Sequence, residues 1–333
     1  MAETAATEVG VAQRQARILG GTGVRTPWRR LPARVRAAVE ECLGSPVVRA
    51  RTIRGGFSPG LAADVRAASG LRVFLKAVGP ERNPDSPDLH RQEAAIASRL
   101  PAAVPAPRLL WSWDEGPGGW VALAFAWLDG AMPRLPWRRS DAWRVLSALD
   151  AMAADLTPAP IEGLPPAADA FRASINGWSR LRAEGGEGAL TPAFRRGLDT
   201  LCALEAAAPA AAEGDTLLNL DVRRDNLILG PAGEVWVVDW PGACRGAAFV
   251  EALLFLPSLA MQGGPAPEEA LMRSAALRAA DPGAVDSVLA AAAGYFTYHA
   301  LQPPPPGLPT LRAFQAAQGE TARAWLGRRL RWL

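Results

Sequence analysis

Three oxygen-bearing side chains stand close together in the second half of the chain. Asp221 and Asn226 lie within 218–229, and Asp239 follows the apolar pair Val237-Val238. This stretch reads as an Asp on a loop, an Asn opening a strand over 226–229, a turn at 231–233, and a second strand over 235–238 that delivers Asp239. A hairpin of this kind can bring all three side chains to one edge. Hard oxygen donors so placed suit Mg²⁺, which takes one or two ligands from protein and the rest from phosphate and water. Taken alone, an Asp and an Asn five residues apart carry little weight; their company decides.

Upstream, Gly55-Gly56-Phe57-Ser58-Pro59-Gly60 separates two strand-like segments. A glycine-rich turn exposes backbone N–H groups and lets phosphate oxygens approach where a Cβ would block them, although a plain hairpin turn has the same composition. Lys76 follows, the only lysine in the chain; every other basic side chain is arginine. Its ammonium is a compact point charge where a guanidinium is a planar fork. Alternation along 71–78 puts Lys76 on the face of Phe74 and Val78, either as a solvated charge or aimed into a cleft. Glu93 sits in the middle of the next helix, where a solvated helix face is the simple reading.

The elements that must position these groups form two textures. Residues 32–43 read as an amphipathic helix with Val35, Val39, Cys42 and Leu43 on one face, Pro32 at its first turn and Gly44 past its end. Strands are expected over 47–53, 63–67 and 71–78, an antiparallel meander, then a helix from Ser86 as N-cap and Pro87 to about residue 100. Two more strands, 105–113 and 120–127, end at Asp129-Gly130. Beyond residue 140 the chain is mainly helical, with helices expected from Ser140 as cap to about 156, over 168–182 and over 192–207. Pro303–Pro306 reads as a stiff extended connector. The fold class is α+β and bilobal: a small antiparallel sheet with one helix, then a larger mainly helical lobe.

Composition narrows the function. The 333 residues, 49% hydrophobic and 21% charged, suffice for a large core. A net charge of +3 argues against a dedicated nucleic-acid binder. Three scattered cysteines, Cys42, Cys202 and Cys244, make neither a disulfide framework nor a zinc site, and two histidines, His90 and His299, leave Ser-His-Asp and His-metal chemistry little to work with. Residues 1–20 are Ala-rich and polar, without a secretory signal, and 249–261 is too short and too interrupted to span a bilayer. A cytoplasmic protein without membrane or nucleic-acid partners is expected.

Glycine-rich turn, strand lysine, helix glutamate, connector strand, Asp-x4-Asn, hairpin and Asp follow one another in the order of the kinase phosphoryl-transfer template. Over residues 46 to 265 the chain resembles the aminoglycoside phosphotransferase and choline-kinase-like family of kinase-like small-molecule phosphotransferases. That resemblance implies ATP, with GTP as the alternative, and Mg²⁺. It makes Asp221 the catalytic Asp, Asn226 and Asp239 the metal ligands, Lys76 the phosphate-gripping lysine and Glu93 its helix partner. Gly55, Gly56, Ser58 and Gly60 would face the phosphates, and 124–128, with Phe125 and Trp127, would be the connector beside the adenine. The implied organisation is an N-terminal extension over 1–45, a nucleotide-binding lobe over 46–129 and a catalytic, acceptor-binding lobe over 130–333, in a monomer or homodimer.

The sequence departs from the family pattern twice. Asn219 stands where the family has His, a residue that braces the loop, and Glu251 stands where many members carry Asp. Arg223, Arg224 and Arg245 read as solvated. From residue 241 onward six acids face eight arginines, which favours a neutral or anionic hydroxyl acceptor over a polycationic drug. Two alternatives to a small-molecule phosphotransferase stay open here: a kinase of Ser/Thr in a peptide or protein, and an inactive nucleotide-binding scaffold.

Overall fold

The structure, a computed structural model, describes residues 23–332; the polar segment 1–20 discussed above lies outside them. The first part of the chain comprises helix α1 (Ala33–Leu43), β1 (Val47–Thr52), β2 (Leu61–Ala67), β3 (Arg72–Val78), helix α2 (Ser86–Ala97), β4 (Leu109–Asp114) and β5 (Val121–Ala126). All five strands make one antiparallel sheet in the order β1-β2-β3-β5-β4. The expected meander is its first three strands, and the late strand β5 inserts between β3 and β4.

Alternation gives the sheet two apolar faces with different partners. Leu61, Ala63 and Val65 of β2, Val73, Leu75 and Ala77 of β3, and Ala122 and Ala124 of β5 pack under Val35, Val39 and Leu43 of α1. The N-terminal helix is therefore part of the core of the sheet. Cys42 departs from the expected apolar face and is exposed, because the buried positions 35, 39 and 43 already complete a stripe at helical spacing. On the other face, Val121, Leu123 and Phe125 pack with Ala97 and Ala94 of α2, and Lys76 lies on this same face opposite Leu123.

Helix α2 contains Ser86 as its first residue, so Ser86 is not the N-cap; the preceding turn is closed by Asn83 Oδ1, which accepts from the Asp85 N–H at 3.0 Å. The helical part follows with α3 (Arg139–Asp155), α4 (Ala167–Ser174), α5 (Gly177–Ala183), α6 (Pro192–Arg196) and α7 (Leu198–Ala211). Ser140 likewise falls inside α3. Two short antiparallel pairs come next: β6 (Thr216–Leu218) pairs with β9 (Cys244–Gly246), and β7 (Leu227–Leu229) with β8 (Val235–Val237). The last helices are α8 (Phe249–Met261), α9 (Pro267–Leu271), α10 (Ala275–Ala279), α11 (Pro282–Ala300) and α12 (Leu311–Arg329). The apolar segment over 249–261 is α8, buried within the main helical core. Among the described residues no helix is long and apolar enough to cross a membrane.

The single helix expected over 168–182 is two helices. Ile175 and Asn176 leave helical dihedrals (φ −104°, ψ 60° and φ −131°, ψ 40°), and the break swings α5 against α11. There Gly177 meets the backbone of Gly294 so closely that a Cβ on Gly177 would lie 2.0 Å from the Gly294 carbonyl oxygen. Trp178, fully buried, donates its Nε1–H to the Ala290 carbonyl across the same seam at 2.7 Å. Gly197 similarly separates α6 from α7 within the expected 192–207 helix. We expect Gly177→Ala to force these helices apart and lower the unfolding free energy by about 1–3 kcal/mol, the usual cost of overpacking. Denaturant titration checks this, and an unchanged midpoint would contradict the close approach.

Candidate active site

Lys76 on β3 is the hinge of the site. Its ammonium lies 2.7 Å from both carboxylate oxygens of Glu93 on α2 and 2.9 Å from Oδ1 of Asp239, which follows β8. One cation thus ties the sheet, its helix and the hairpin of the helical part. Glu93 is buried, not solvated. Burial pushes its pKa up to about 7 against the opposing pull of Lys76. Burial also works against the charge on Lys76, but Asp239 and Glu93 outweigh it and raise the pKa. Asp239 behaves likewise: burial is outweighed, chiefly by Lys76, and its carboxyl is held below the usual range. His90, one turn before Glu93, is buried with Nδ1 3.1 Å from the Ser86 carbonyl, and burial takes its pKa down to about 3, so it is a neutral packing residue.

The loop between β6 and β7 holds Asp221. Asn226 donates through Nδ2 to Asp221 Oδ2 and to the Asp221 carbonyl, both at 2.9 Å. Asn219 links the loop to the end of the hairpin: Nδ2 donates to the Asp239 carbonyl at 2.9 Å, and Oδ1 accepts from the Asp221 N–H at 3.0 Å. The backbone is strained on both sides of this brace, Leu220 at φ 64° and Asp239 at φ 68°. For leucine in particular this region is costly and persists only where surroundings over-determine it. Glu251 of α8 supplies that constraint, since its buried carboxylate accepts from the N–H groups of Asn219 and Leu220.

The glycine-rich turn closes down on this loop, and here the structure corrects and extends the sequence reading. Arg223 is not solvated. It donates to Asp221 Oδ1 and Asp225 Oδ1, both at 2.8 Å, and its guanidinium lies 5.1 Å from the ring of Phe57 and 5.9 Å from that of Phe314. Phe57 in the turn and Phe314 of α12 are themselves 4.8 Å apart, so the C-terminal helix packs on the glycine-rich turn. Arg224 is partly buried, donating to the Pro133 carbonyl, whereas Arg245 pairs with Asp215 at the surface as expected. Arg25, which no motif marks, reaches under the turn and donates to the carbonyls of Gly55 and Ser58. A Cβ on Gly56 would lie 3.1 Å from Arg25 Nη2 and 3.9 Å from Asp225 Oδ2. Gly60 has φ 98° and no room for a Cβ beside the Ala77 carbonyl.

Of the two connector residues, Phe125 is buried in the packing against α2, its ring 5.8 Å from Lys76 Nζ. Trp127 is partly exposed under the guanidinium of Arg72, 3.7 Å from its ring centroid. The structure therefore gathers Lys76, Glu93, Asp239, Asn226 and Asp221 on one side of the glycine-rich turn and puts Trp127 at the far end of the same sheet face. Proximity to Asp221 in sequence was the one available signal for Arg223; for Arg25 and Phe314 there was none.

Searches against known structures place this fold. Aminoglycoside phosphotransferase APH(4)-Ia aligns over 88% of this chain and 97% of its own, with a TM-score of 0.57 and 14% identity. A presumed fructosamine-3-kinase from Thermobifida fusca YX-ER1 aligns over 89% and 98%, with a TM-score of 0.54 and 22% identity. Choline kinase LicA from Streptococcus pneumoniae aligns over 89% and 96%, with a TM-score of 0.54 and 10% identity. No family model and no curated protein matches the sequence. The chain has the bilobal α+β fold of the kinase-like small-molecule phosphotransferases, the group that aminoglycoside phosphotransferases and choline kinases represent.

Two outcomes follow from the buried charges. Lys76→Met leaves Glu93 and Asp239 facing each other without a cation and should cost about 3–5 kcal/mol of stability. Adding Glu93→Gln should restore part of that loss, and chemical denaturation of the two variants checks it. Burial also pushes the Glu251 carboxyl up to about 7 from its ordinary 4.5. A carboxyl raised on folding takes up a proton as the chain folds, so its contribution to stability falls as pH rises between those two values. The melting temperature of the wild type minus that of Glu251→Gln should therefore decline from about pH 4.5 to about pH 7 and level off above. A pH-independent difference would contradict the assignment.

Proposed function

We propose that the protein is an ATP-dependent O-phosphotransferase that moves the γ-phosphoryl group to a hydroxyl of a small molecule. The observation that carries this reading is the single ammonium of Lys76 shared between Glu93 and Asp239, with Asp221 and Asn226 hydrogen-bonded to each other on the neighbouring loop. APH(4)-Ia is known in ternary complex with ADP and hygromycin B, and this supports a nucleotide in the corresponding cleft here.

The donor set fits Mg²⁺. Both bonds of the Asn226 side chain run through its amide nitrogen, which leaves the carbonyl oxygen uncommitted, and Asp239 engages Lys76 through Oδ1, which leaves Oδ2. Two oxygens of this kind suit an ion that completes its coordination with phosphate and water. Asp225 Oδ2, buried and without a partner beneath the glycine-rich turn, marks the same cleft as one built for a further charged group. Bound there, the metal would neutralise charge on the phosphates. Asn226 and Asp239 would hold it, Lys76 would grip phosphate oxygens with Glu93 fixing its direction, and Asp221 would orient the acceptor hydroxyl and receive its proton. Because phosphoryl transfer has a loose transition state, positioning and charge neutralisation supply most of the rate and base strength little.

The Tyr295 side of the Asp221 site, where Arg312 lies, supports a neutral or anionic acceptor. The charged groups around the Tyr295 hydroxyl are Asp221, Arg312 and Arg223. Arg312 is held by the Pro303 carbonyl and Gln315 Oε1, with no carboxylate partner among the described residues. A polycation would meet arginine there.

Two measurements test the proposal. A thermal-shift titration with ATP or GTP should show a Mg²⁺-dependent rise in melting temperature, about 2.7 kcal/mol of stabilisation at a hundred times Kd, that Asp239→Ala abolishes. With an acceptor found by screening hydroxylated metabolites against Ser/Thr peptides, Asp221→Asn should lower kcat by about 10²–10⁴-fold while leaving the nucleotide shift in place. Stabilisation by neither nucleotide would refute the reading, and turnover of peptides alone would replace it with a peptide kinase.

A further inference from the structure

Arg25 comes from the segment preceding α1, outside every element of the site, yet its guanidinium lies under the glycine-rich turn. It donates to the carbonyls of Gly55 and Ser58, two of the five N–H groups a guanidinium has. Nε is buried and has no partner. Its charged neighbours, Asp239 and Asp225, come from the helical side of the cleft. Burial lowers its pKa, opposed first by Asp239 and then by Asp225, and the buried, neutral His90 also lies within its field. Three further bonds hold the segment in place: Thr26 N–H donates to the Gly60 carbonyl at 2.9 Å, Gly23 N–H to the Gly56 carbonyl at 3.0 Å, and Gly60 N–H to the Val24 carbonyl at 3.1 Å. The turn and the Arg25 segment are thus one backbone-bonded unit.

The chemistry of the cleft has a use for a further cation there. An ammonium has three donors, and those of Lys76 face Glu93 Oε1, Glu93 Oε2 and Asp239 Oδ1, so gripping a phosphate means giving up one of these. Pro59 removes one backbone donor from the turn. The Gly55 and Ser58 carbonyls, which would repel phosphate oxygens, are instead covered by the Arg25 guanidinium. Three carboxylates, Asp221, Asp225 and Asp239, share this cleft, and its two other cations, Lys76 and Arg223, are both engaged with carboxylates. A further cation aimed at an entering polyphosphate therefore adds charge that they do not supply freely.

Resting on the nucleotide-site reading above, we propose that Arg25 is a phosphate-binding residue of this site: it masks the carbonyls of the glycine-rich turn and presents its remaining N–H groups to the nucleotide phosphates. It is an addition to the lysine and not a replacement for it. A guanidinium fits because its planar fork can bond the turn on one side and a phosphate on the other, which an ammonium on the same stem does less well.

The test is the affinity of wild type, Arg25→Gln and Arg25→Lys for adenosine, AMP, ADP and ATP with Mg²⁺, by calorimetric titration. Melting curves of both variants establish that they fold, and Arg25→Lys keeps the charge if Arg25→Gln is unstable. We expect Arg25→Gln to bind adenosine as wild type does and to bind ADP and ATP about 10–100-fold more weakly, the range for losing a hydrogen bond to a charged group. Arg25→Lys should fall between. Equal losses for adenosine and ATP would overturn the inference in favour of a role confined to building the turn. Unchanged or tighter ATP binding would overturn it in favour of a guanidinium that merely occupies the cleft. A wild type that binds none of the four ligands would instead refute the nucleotide site itself, an outcome read from the wild type alone.

Discussion

Everything in the site is referred to one ammonium group. Lys76 Nζ contacts a carboxylate from α2 and another from the end of the β7–β8 hairpin, elements 17 and 163 residues away in sequence. Buried Glu93 and partly buried Asp239 are held charged side by side only at high cost without a cation between them, and a largely buried cation is held charged only at high cost without them. The mutual need fixes the sheet against the helical part at one point and sets the direction of the lysine. It also explains why the one lysine of an arginine-rich chain is here: three donors radiating from a single nitrogen match two carboxylates from different directions, which a flat fork does not.

Around that point the molecule stores backbone strain and holds it with buried polar groups. Leu220 and Asp239 both adopt positive φ, and Asn219 and Glu251 are the clamps that keep them there. The pattern suits a loop that must present Asp221 and Asp239 in fixed relation, since a relaxed loop would lose positional definition. Asn219 acts as a brace because its amide offers a donor to the Asp239 carbonyl and an acceptor to the Asp221 N–H.

The roof of the cleft is assembled from distant pieces of chain. The glycine-rich turn, the Arg25 segment and the C-terminal helix meet through Phe57, Arg223 and Phe314. The extended prolines between α11 and α12 add a staple, with Val24 N–H donating to the Gly307 carbonyl and Asn83 Nδ2 to the Pro306 carbonyl. The connector expected to be merely stiff thus also bonds to the sheet side of the molecule. The sheet and helical sides of the cleft are consequently tied to one another through contacts that neither side's local sequence specifies.

How much of this the sequence carried follows from the range of each interaction. Strand and helix positions, the hairpin delivering Asp239, and the ordered series from glycine-rich turn to Asp239 depend on local periodicity and turn chemistry, so they were legible. Element ends were less so: the break at Ile175-Asn176 exists because Gly177 must touch Gly294 on another helix, and Ser86 and Ser140 lie within helices whose N-cap positions come earlier and make no capping side-chain bond. The sequence by itself determined which chemical groups are present and in what order they occur. Only the tertiary structure decided their states. It buried Glu93 against Lys76, turned Arg223 from a solvated side chain into a bridge between Asp221 and Asp225, and brought Arg25 beneath the glycine-rich turn. Burial and charge pairing are properties of the space between elements, and no residue's own neighbours in the chain define that space.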